Sequence, residues 1–191
     1  DSSVTGVQTC ALPIYKLGMY VIDETWDMWF NHKTQYDYAS EFTENWKKDL
    51  TRLVSRDYNH PSIIMYSIGN EISEPTTDKG IKLAKEIVNL LHQLDSGRAV
   101  TGGINLMILL RSAKGNAIYK EDGSGLSDEK KNASGMSSTM FNLITSMVGT
   151  NMNKAANGKK ADEVTAPVLD TLDIAGYNYA SGRYSMEGKK H

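Results

Sequence analysis

The order of apolar and polar positions predicts short strands alternating with amphipathic helices from Leu17 onward. Apolar runs at 17–22, 63–68 and 99–101 indicate strands, and the almost continuous run at 63–68 indicates a central strand covered on both faces. Apolar residues recur at helical spacing over 41–56, with Ser40 as a candidate N-cap, and over 77–94. Strands that alternate with helices in this way predict parallel pairing through right-handed crossovers.

The pattern weakens after Leu110, where residues 111–135 are rich in Lys, Gly, Ser, Asp and Asn. We interpret this stretch as a polar insertion. Helical spacing returns over 138–148, a short helix is expected to begin near Pro167, and 172–179 indicates a fourth strand. The predicted fold class is therefore α/β. About four central strands with crossover helices form either part of a (β/α)8 TIM barrel or a small open sheet.

Composition narrows the class of protein. The 191 residues are 40% hydrophobic and 23% charged with a formal net charge of -2, which is typical of a globular domain. No basic, aromatic-rich segment suggests nucleic acid as a partner, and no apolar run approaches the roughly 20 residues that span a bilayer. The four histidines have no metal-ligand spacing. We therefore expect no nucleic-acid or membrane partner, no metal and no cofactor.

The first residues fit poorly with the rest of the chain. Residues 1–14 resemble translated sequencing-adapter read-through, so we expect a non-native or unstructured segment in which Cys10 says nothing about redox compartment. A genuine loop and short strand is the alternative. Residues 15–191 are then expected to be a fragment of one domain, because a full barrel has about 250 residues. The compartment stays open between the cytoplasm and periplasm of a bacterium.

The main candidate for chemistry is Glu71, in the run Ser67-Ile68-Gly69-Asn70-Glu71 that ends the central strand. Active sites of barrels lie at the carboxyl ends of the strands. A carboxylate at such a position is costly to bury without partners. Glu71 therefore either performs chemistry in a cleft or caps the next helix.

Four motifs in the same order resemble glycoside hydrolase family 2, and within it bacterial β-galactosidases. They are YVIDE at 20–24, RDYNHPS at 56–62, SIGNE at 67–71 and DIAGYNY at 173–179. The resemblance implies a (β/α)8 barrel behind β-sandwich domains, retaining hydrolysis of a terminal β-glycoside, a carbohydrate substrate, and a full-length protein that can oligomerise.

The resemblance also implies roles for individual residues. Glu71 matches the general acid/base and Asn70 matches the residue that binds the 2-hydroxyl of the sugar, although Asn70 also suits a turn before a helix. Tyr179, with Tyr177 as the other choice, matches the hydroxyl that contacts the nucleophile. Strand alternation directs both tyrosines to the same side, so sequence does not separate them.

Three further residues are weaker substrate-binding candidates. Asp23 and Glu24 are expected at the catalytic face, where they either hold sugar hydroxyls or form a structural ion pair. Trp26, like its neighbour Trp29, offers a stacking surface for a sugar ring, and ordinary packing is an equal alternative.

The nucleophile of the family is a glutamate at the end of the next strand, and no residue of this chain matches it. Glu187 follows no apolar run, and Glu74 lies only one helical turn beyond Glu71. We therefore expect little or no activity from this chain alone. Two other hypotheses remain: a non-catalytic carbohydrate-binding or interaction protein derived from the same barrel, and a self-contained α/β domain in which Glu71 caps a helix.

Overall fold

A three-stranded parallel sheet forms the centre of the molecule. The structure is a computed structural model that describes residues 13–124 and 158–183. Its strands are β1 (Val21–Glu24), β2 (Ile63–Asn70) and β3 (Ala99–Gly103), in the order β1-β2-β3. Both pairs are parallel, which confirms the α/β class and places β2 centrally as predicted.

Helices connect and flank the strands. Helix α1 (Ala39–Asp57) joins β1 to β2, and helix α2 (Asp78–Leu94) joins β2 to β3 after a short 3-10 helix, Glu74–Thr76. Among the described residues after β3 lie two further α-helices, α3 (Leu106–Ala113) and α4 (Lys159–Leu169). The four-residue spacing of apolar positions in α1 and α2 predicts the face of each helix that is buried.

The larger of two hydrophobic clusters in the described residues lies between the sheet and these helices. Tyr66 and Ile68 of β2 and Val100 of β3 are fully buried on the helix-facing side. At roughly 1.5 to 3 kcal/mol for each large apolar side chain, this burial is the main force that holds the helices on the sheet. The helical residues of this core are Phe42, Trp46, Leu50, Val54, Ala84, Ile87, Val88, Leu91, Leu109 and Val168.

The opposite face of the sheet carries polar side chains in one row. Glu24, Ser67 and Thr101 are paired across the three strands. Ser67 Oγ donates to Glu24 Oε2 at 2.8 Å, and Thr101 Oγ1 donates to the Ile174 carbonyl at 2.9 Å. Because side chains alternate along a strand, this face is the one that a closed barrel would enclose.

The segment expected to be a fourth strand runs beside β3 without forming a regular strand. Its contacts are backbone hydrogen bonds from Asp173 N to Val100 O (3.0 Å) and from Asn178 N to Ile104 O (2.9 Å), with one parallel bridge between Ile104 and Tyr177. The fourth strand is therefore replaced, within the described residues, by this single bridge to the end of β3. The segment still occupies the position of the next barrel strand.

Some predicted boundaries were wrong. The first strand begins at Val21 instead of Leu17, because Gly18 adopts a φ of +64° and the chain turns before it pairs. Helix α1 begins before Ser40, with Tyr38 at the N-cap position. Pro167 lies in the last turn of α4 instead of its first, whereas Ala161, Thr165 and Val168 supply the buried stripe.

The polar insertion predicted at 111–135 stays a prediction, and its first residues belong to a helix. Residues 111–113 complete helix α3, which begins at the apolar residues after Asn105 and which the sequence did not predict. Residues 125–157, and with them the predicted helix at 138–148, lie outside the described residues, as do residues 1–12. The prediction that β2 is covered on both faces does not hold at the start of the strand, where Ile64 is 37% exposed.

Candidate active site

Glu71 lies at the carboxyl end of the sheet, directly after the last residue of β2. Its backbone N donates to Gly103 O at 2.7 Å, which ties it to the end of β3. The φ of Glu71 is +51°, in the left-handed region that costs a non-glycine residue roughly 1 to 2 kcal/mol. Strained backbone of this kind clusters at functional sites, so the conformation marks Glu71 as a candidate.

The Glu71 carboxylate is half-buried and is held by two side-chain amides. Asn105 Nδ2 donates to Glu71 Oε1 at 2.8 Å, and Asn178 Nδ2 approaches the same oxygen at 3.3 Å. Asn105 lies just after β3, and Asn178 lies in the segment beside it. Three neighbouring strand positions thus supply the groups around this carboxylate.

Asn70 is fixed from both ends of its amide. Its Nδ2 donates to Asp27 Oδ1 at 2.8 Å, and its Oδ1 accepts from Asn178 Nδ2 at 2.6 Å. The Asn70 carbonyl accepts from Lys33 Nζ at 2.8 Å. The absence of a side chain at Gly103 leaves room for this arrangement, since a Cβ there would lie 3.0 Å from Asn70 Oδ1.

Charged and aromatic side chains from the loop after β1 and from residue 119 surround Asn70 and Glu71. Asp27 Oδ1 also accepts from Lys33 Nζ at 3.0 Å, and the Lys33 ammonium lies 5.4 Å from the centre of the Tyr119 ring. Burial raises the pKa of Tyr119, and the negative charges of Glu71 and Asp27 raise it further. Tyr119 therefore keeps its hydroxyl proton beside the two carboxylates.

Sequence reasoning missed three residues whose side chains bond the side chain of Glu71 or Asn70. They are Asp27, Asn105 and Asn178, and each lies where a strand or strand-like segment ends. The rule that drew attention to Glu71, that chemistry lies at the carboxyl ends of parallel strands, applies equally to them. Applied to every strand, it would have found Asn105 and Asn178 together with Glu71.

The two candidate tyrosines separate in the structure. Tyr177 is half-buried against the cluster of Leu106, Leu110, Ala161 and Ala180, with the Arg183 guanidinium 5.2 Å from its ring centre. Tyr179 is 58% exposed and has a φ of +55°. The expectation that both rings share one side was wrong, because the left-handed conformation of Tyr179 breaks the strand alternation.

Asp23 and Glu24 point in opposite directions. Asp23 faces α1, where Arg56 Nη2 lies 4.0 Å from its Oδ2 and Asp57 is adjacent, so its expected place at the catalytic face was wrong. Strand pairing explains this, since Asp23 is in register with the core residue Tyr66. Glu24 lies on the polar face of the sheet and accepts from Ser67 Oγ.

The tryptophans belong to the core. Trp26 is 9% exposed and meets Phe42 edge to face at 5.1 Å, and Trp29 is fully buried and stacks on Phe42 at 6.3 Å. Trp29 Nε1 donates to Ile68 O at 3.0 Å. Neither ring offers a face to a sugar, so packing, the stated alternative, accounts for Trp26 and Trp29.

Glu74 is unsuited to act as a second carboxylate because it is 1% exposed. Its Oε1 accepts from Asn31 N at 2.8 Å, and Ser73 Oγ accepts from Asn31 Nδ2 at 2.9 Å. Burial raises the pKa of Glu74 against the effect of the hydrogen bonds that it accepts. Glu74 thus joins the loops after β1 and β2, and Glu187 lies outside the described residues.

Two general properties complete the description of the site. Among residues 13–124 and 158–183, no group of three His, Cys, Asp or Glu side chains is arranged to hold a metal ion. In the same ranges, no helix combines the length and apolar character needed to cross a membrane.

Comparison with known proteins identifies the family. The family model of the glycosyl hydrolases family 2 TIM barrel domain matches residues 12–123, more than half of the chain. The chain belongs to glycosyl hydrolase family 2. This confirms the resemblance carried by the motifs and the prediction that the sheet is part of a TIM barrel.

Individual members of glycosyl hydrolase family 2 agree with this assignment. The β-galactosidase BoGH2A of Bacteroides ovatus is 46% identical over 77 residues, which is 40% of this chain and 9% of the relative. A β-glucuronidase of Bacteroides fragilis is 39% identical over 69 residues, or 36% of this chain and 10% of the relative. A family 2 crystal structure from Bacteroides cellulosilyticus superposes with a TM-score of 0.61 at 31% identity, covering 95% of this chain and 16% of that one.

The matched length defines what the chain represents. It spans about a tenth of the length of these curated relatives and about a sixth of the matched crystal structure. The described residues therefore form three strands of the family 2 TIM barrel domain, with their helices and the segment that runs beside β3.

Proposed function

We propose that the protein containing this chain hydrolyses terminal β-glycosides with retention of configuration, and that Glu71 is its general acid/base. The observation that carries the proposal is the Glu71 carboxylate at the carboxyl end of β2, bonded to Asn105 and Asn178. Membership of a glycosidase family and relatives named β-galactosidase and β-glucuronidase support it.

In the first step, Glu71 gives its proton to the glycosidic oxygen while the bond from that oxygen to the anomeric carbon breaks. A carboxylate nucleophile on the opposite side of the sugar forms the glycosyl ester at the same carbon. In the second step, Glu71 takes a proton from water, the water oxygen bonds to the anomeric carbon, and the ester bond breaks. Both proton transfers use one carboxyl group.

Asn70 is proposed to bind the 2-hydroxyl of the sugar. Two hydrogen bonds orient the Asn70 amide before substrate arrives. Its Nδ2 donates to Asp27, and its Oδ1 accepts from Asn178. A contact to the 2-hydroxyl strengthens as oxocarbenium character develops, so a fixed amide favours the transition state over the ground state. Tyr179, whose ring is exposed, is proposed as the hydroxyl beside the nucleophile.

The proposal assigns the nucleophile to a residue outside this chain. The two carboxyl groups of a retaining enzyme lie about 5 to 5.5 Å apart across the sugar. Glu74 is buried and already bonded, so it does not fit that role. We therefore expect little or no turnover from residues 1–191 alone. Detectable hydrolysis of an aryl β-galactoside by this chain, abolished by Glu71→Gln, would contradict that expectation.

A β-galactoside is the proposed substrate, since the β-galactosidase of Bacteroides ovatus is 46% identical over the matched stretch. The relatives named β-glucuronidase make glucuronides the alternative sugar. Aryl β-glycosides of galactose, glucuronic acid and mannose, compared by kcat/KM in the full-length protein, would identify it. The proposal predicts the largest value for the galactoside.

The role of Glu71 is tested with Glu71→Gln and Glu71→Ala in the full-length protein. General acid/base catalysis contributes about 10² to 10⁴ in rate, and we expect a loss of that size for substrates with poor leaving groups. In Glu71→Ala, added azide should restore turnover of a substrate with a good leaving group and yield a β-glycosyl azide, because azide attacks the glycosyl ester without a general base. Glu44→Gln, which alters an exposed carboxylate on α1, is the matched control.

Two outcomes would contradict the proposal. Equal losses of activity for good and poor leaving groups would refute the role of Glu71. Sugar binding without turnover in the unmodified full-length protein would favour a carbohydrate-binding module.

A further inference from the structure

Asn105 bonds to a helix on one side and to Glu71 on the other. It is 9% exposed and occupies the N-cap position of α3. Its Oδ1 accepts from Met107 N at 3.0 Å and from Ile108 N at 3.3 Å, while its Nδ2 donates to Glu71 Oε1 at 2.8 Å. Backbone N–H groups only donate, so Oδ1 must face the helix and the amide N–H must face Glu71.

The second amide at this carboxylate has an equally fixed orientation. Asn178 Nδ2 donates to Asn70 Oδ1, and Asn70 Oδ1 must face it because Asn70 Nδ2 donates to the Asp27 carboxylate. Asn178 Nδ2 also approaches Glu71 Oε1 at 3.3 Å. The amide assignments of Asn70, Asn105 and Asn178 are thus mutually consistent, each set by a group that can only donate or only accept.

Both amides reach the same oxygen of Glu71. Within the described residues, Asn105 and Asn178 donate to Oε1, and no side chain bonds Oε2. An oxygen that accepts two N–H groups is a poor place for a proton, so the transferable proton belongs on Oε2. Asp27, Lys33 and Tyr119 are the charged and titratable groups that the described structure brings to this side of the site.

We propose that Asn105 is a positioning residue that holds Glu71 Oε1 and thereby assigns Oε2 as the oxygen that gives and takes the proton. This inference rests on the proposed role of Glu71 as acid/base. Asn105 acts through Glu71, and its own orientation comes from the cap of α3. The rigid helix therefore sets the direction of the proton transfer, in the way that outer residues orient catalytic groups in other sites.

The test separates positioning of the acid from general support of the fold. Cleavage of a 2,4-dinitrophenyl glycoside needs no protonation of its leaving group, whereas cleavage of a phenyl or methyl glycoside does. The first step, reported by kcat/KM, should therefore depend on Asn105 only for the poor leaving groups. In the full-length protein, with the sugar that gives turnover, we expect Asn105→Ser to lower kcat/KM for the phenyl glycoside by about 10- to 100-fold. For the dinitrophenyl glycoside we expect a change of less than about 3-fold.

Asn105→Ser is the main variant because it should preserve the fold. Serine is a good N-cap and keeps the bond to α3, but its hydroxyl is too short to reach Glu71. Asn105→Ala removes both bonds and should show the same leaving-group pattern with lower stability. Thr77→Ala is the matched control, because Thr77 caps α2 through the bond from Gly80 N and does not contact Glu71. It should leave the ratio of the two kcat/KM values unchanged.

The outcomes distinguish this inference from the proposed function. If Glu71→Gln shows the leaving-group dependence and Asn105→Ser lowers both substrates equally, Asn105 is only structural and the inference is overturned. An Asn105→Ser variant with unchanged kinetics overturns it as well. If Glu71→Gln itself shows no leaving-group dependence, the acid/base role fails and the inference fails with it.

Discussion

Asp23 provides a prediction about stability on the helix-facing side of the sheet. Its carboxyl lies beside Asp57, the last residue of α1, and Arg56 bonds both oxygens of Asp57. Burial, and then the adjacent Asp57 carboxylate, raise the pKa of Asp23 to about 7, while Arg56 opposes the shift. The pKa of Asp57 is lowered despite its burial, because Arg56 and Asp23 hydrogen-bond to it. The pair therefore retains one proton up to near-neutral pH.

The direction in which stability changes with pH follows from the proton that the folded state retains. The pKa of Asp23 is about 7 in the folded chain and 3.8 as the ordinary value, so its contribution is complete below pH 3.8 and is lost as the pH rises through about 7. At about 1.4 kcal/mol per pKa unit, the shift sets an upper limit of about 4 kcal/mol. The Asp23 side chain is 18% exposed. Solvent screening reduces the value, and we expect about 1 to 2 kcal/mol.

The perturbation is Asp23→Asn, which replaces the carboxyl group with a neutral group of the same shape. Urea unfolding of the chain, followed through the buried tryptophans Trp26, Trp29 and Trp46, gives the free energy of unfolding. Near pH 3.5, below the ordinary pKa of 3.8, the variant should match the unmodified chain within about 0.5 kcal/mol, and near pH 8 it should be about 1 to 2 kcal/mol more stable. Glu44→Gln on the exposed side of α1 is the control. A difference that stays constant between the two pH values, or a variant less stable near pH 8, would refute the reasoning.

Two further predictions concern the backbone and a charged contact. Gly69→Ala should destabilise the chain by about 2 to 4 kcal/mol, because φ is +146° and a Cβ would lie 2.9 Å from Trp26 O. Gly18→Ala, with a φ of +64° and no atom within 4 Å, should cost only about 1 kcal/mol in the same urea measurement, and equal losses would contradict the steric argument. Arg98→Lys should cost about 2 to 3 kcal/mol, because Arg98 bonds Asp95 and the carbonyls of Ile63, Tyr58 and His60. The exposed Arg52→Lys is its control in thermal unfolding, and a loss below about 0.5 kcal/mol for Arg98→Lys would contradict this account.

Sequence predicted those parts of the fold whose periodicity is continuous. The apolar stripe that begins at Phe42 and the run from Ile63 each extend over enough residues to identify helix α1 and strand β2. The segment at 173–178 was harder, because its hydrogen bonds to β3 are present but irregular. Helix α3 was missed because its eight residues are mostly apolar, and so short a run has no clear period.

Side-chain roles were less predictable than backbone positions. The expectation that active sites lie at the carboxyl ends of parallel strands located Glu71 and Asn70. It does not say which face of a strand a residue occupies. That face depends on register: Asp23 pairs with Tyr66 and so turns toward the helices. A strand-end position can mark Asn178 as a candidate, but its bond to Asn70 joins segments 108 residues apart, and no local pattern encodes that pairing.

The hydrogen bond between Asn178 and Asn70 has a consequence for chain entropy. This bond joins residues 108 positions apart. The entropic cost of closing a loop of n residues is about (3/2)RT ln n, which is about 4 kcal/mol here. The bond between Asn105 and Glu71 closes only 34 positions, at about 3 kcal/mol. Because this cost grows with the logarithm of length, doubling the whole closed loop would add only about 0.6 kcal/mol. The geometry around Glu71 is thus almost independent of how much chain lies between the strands that build it.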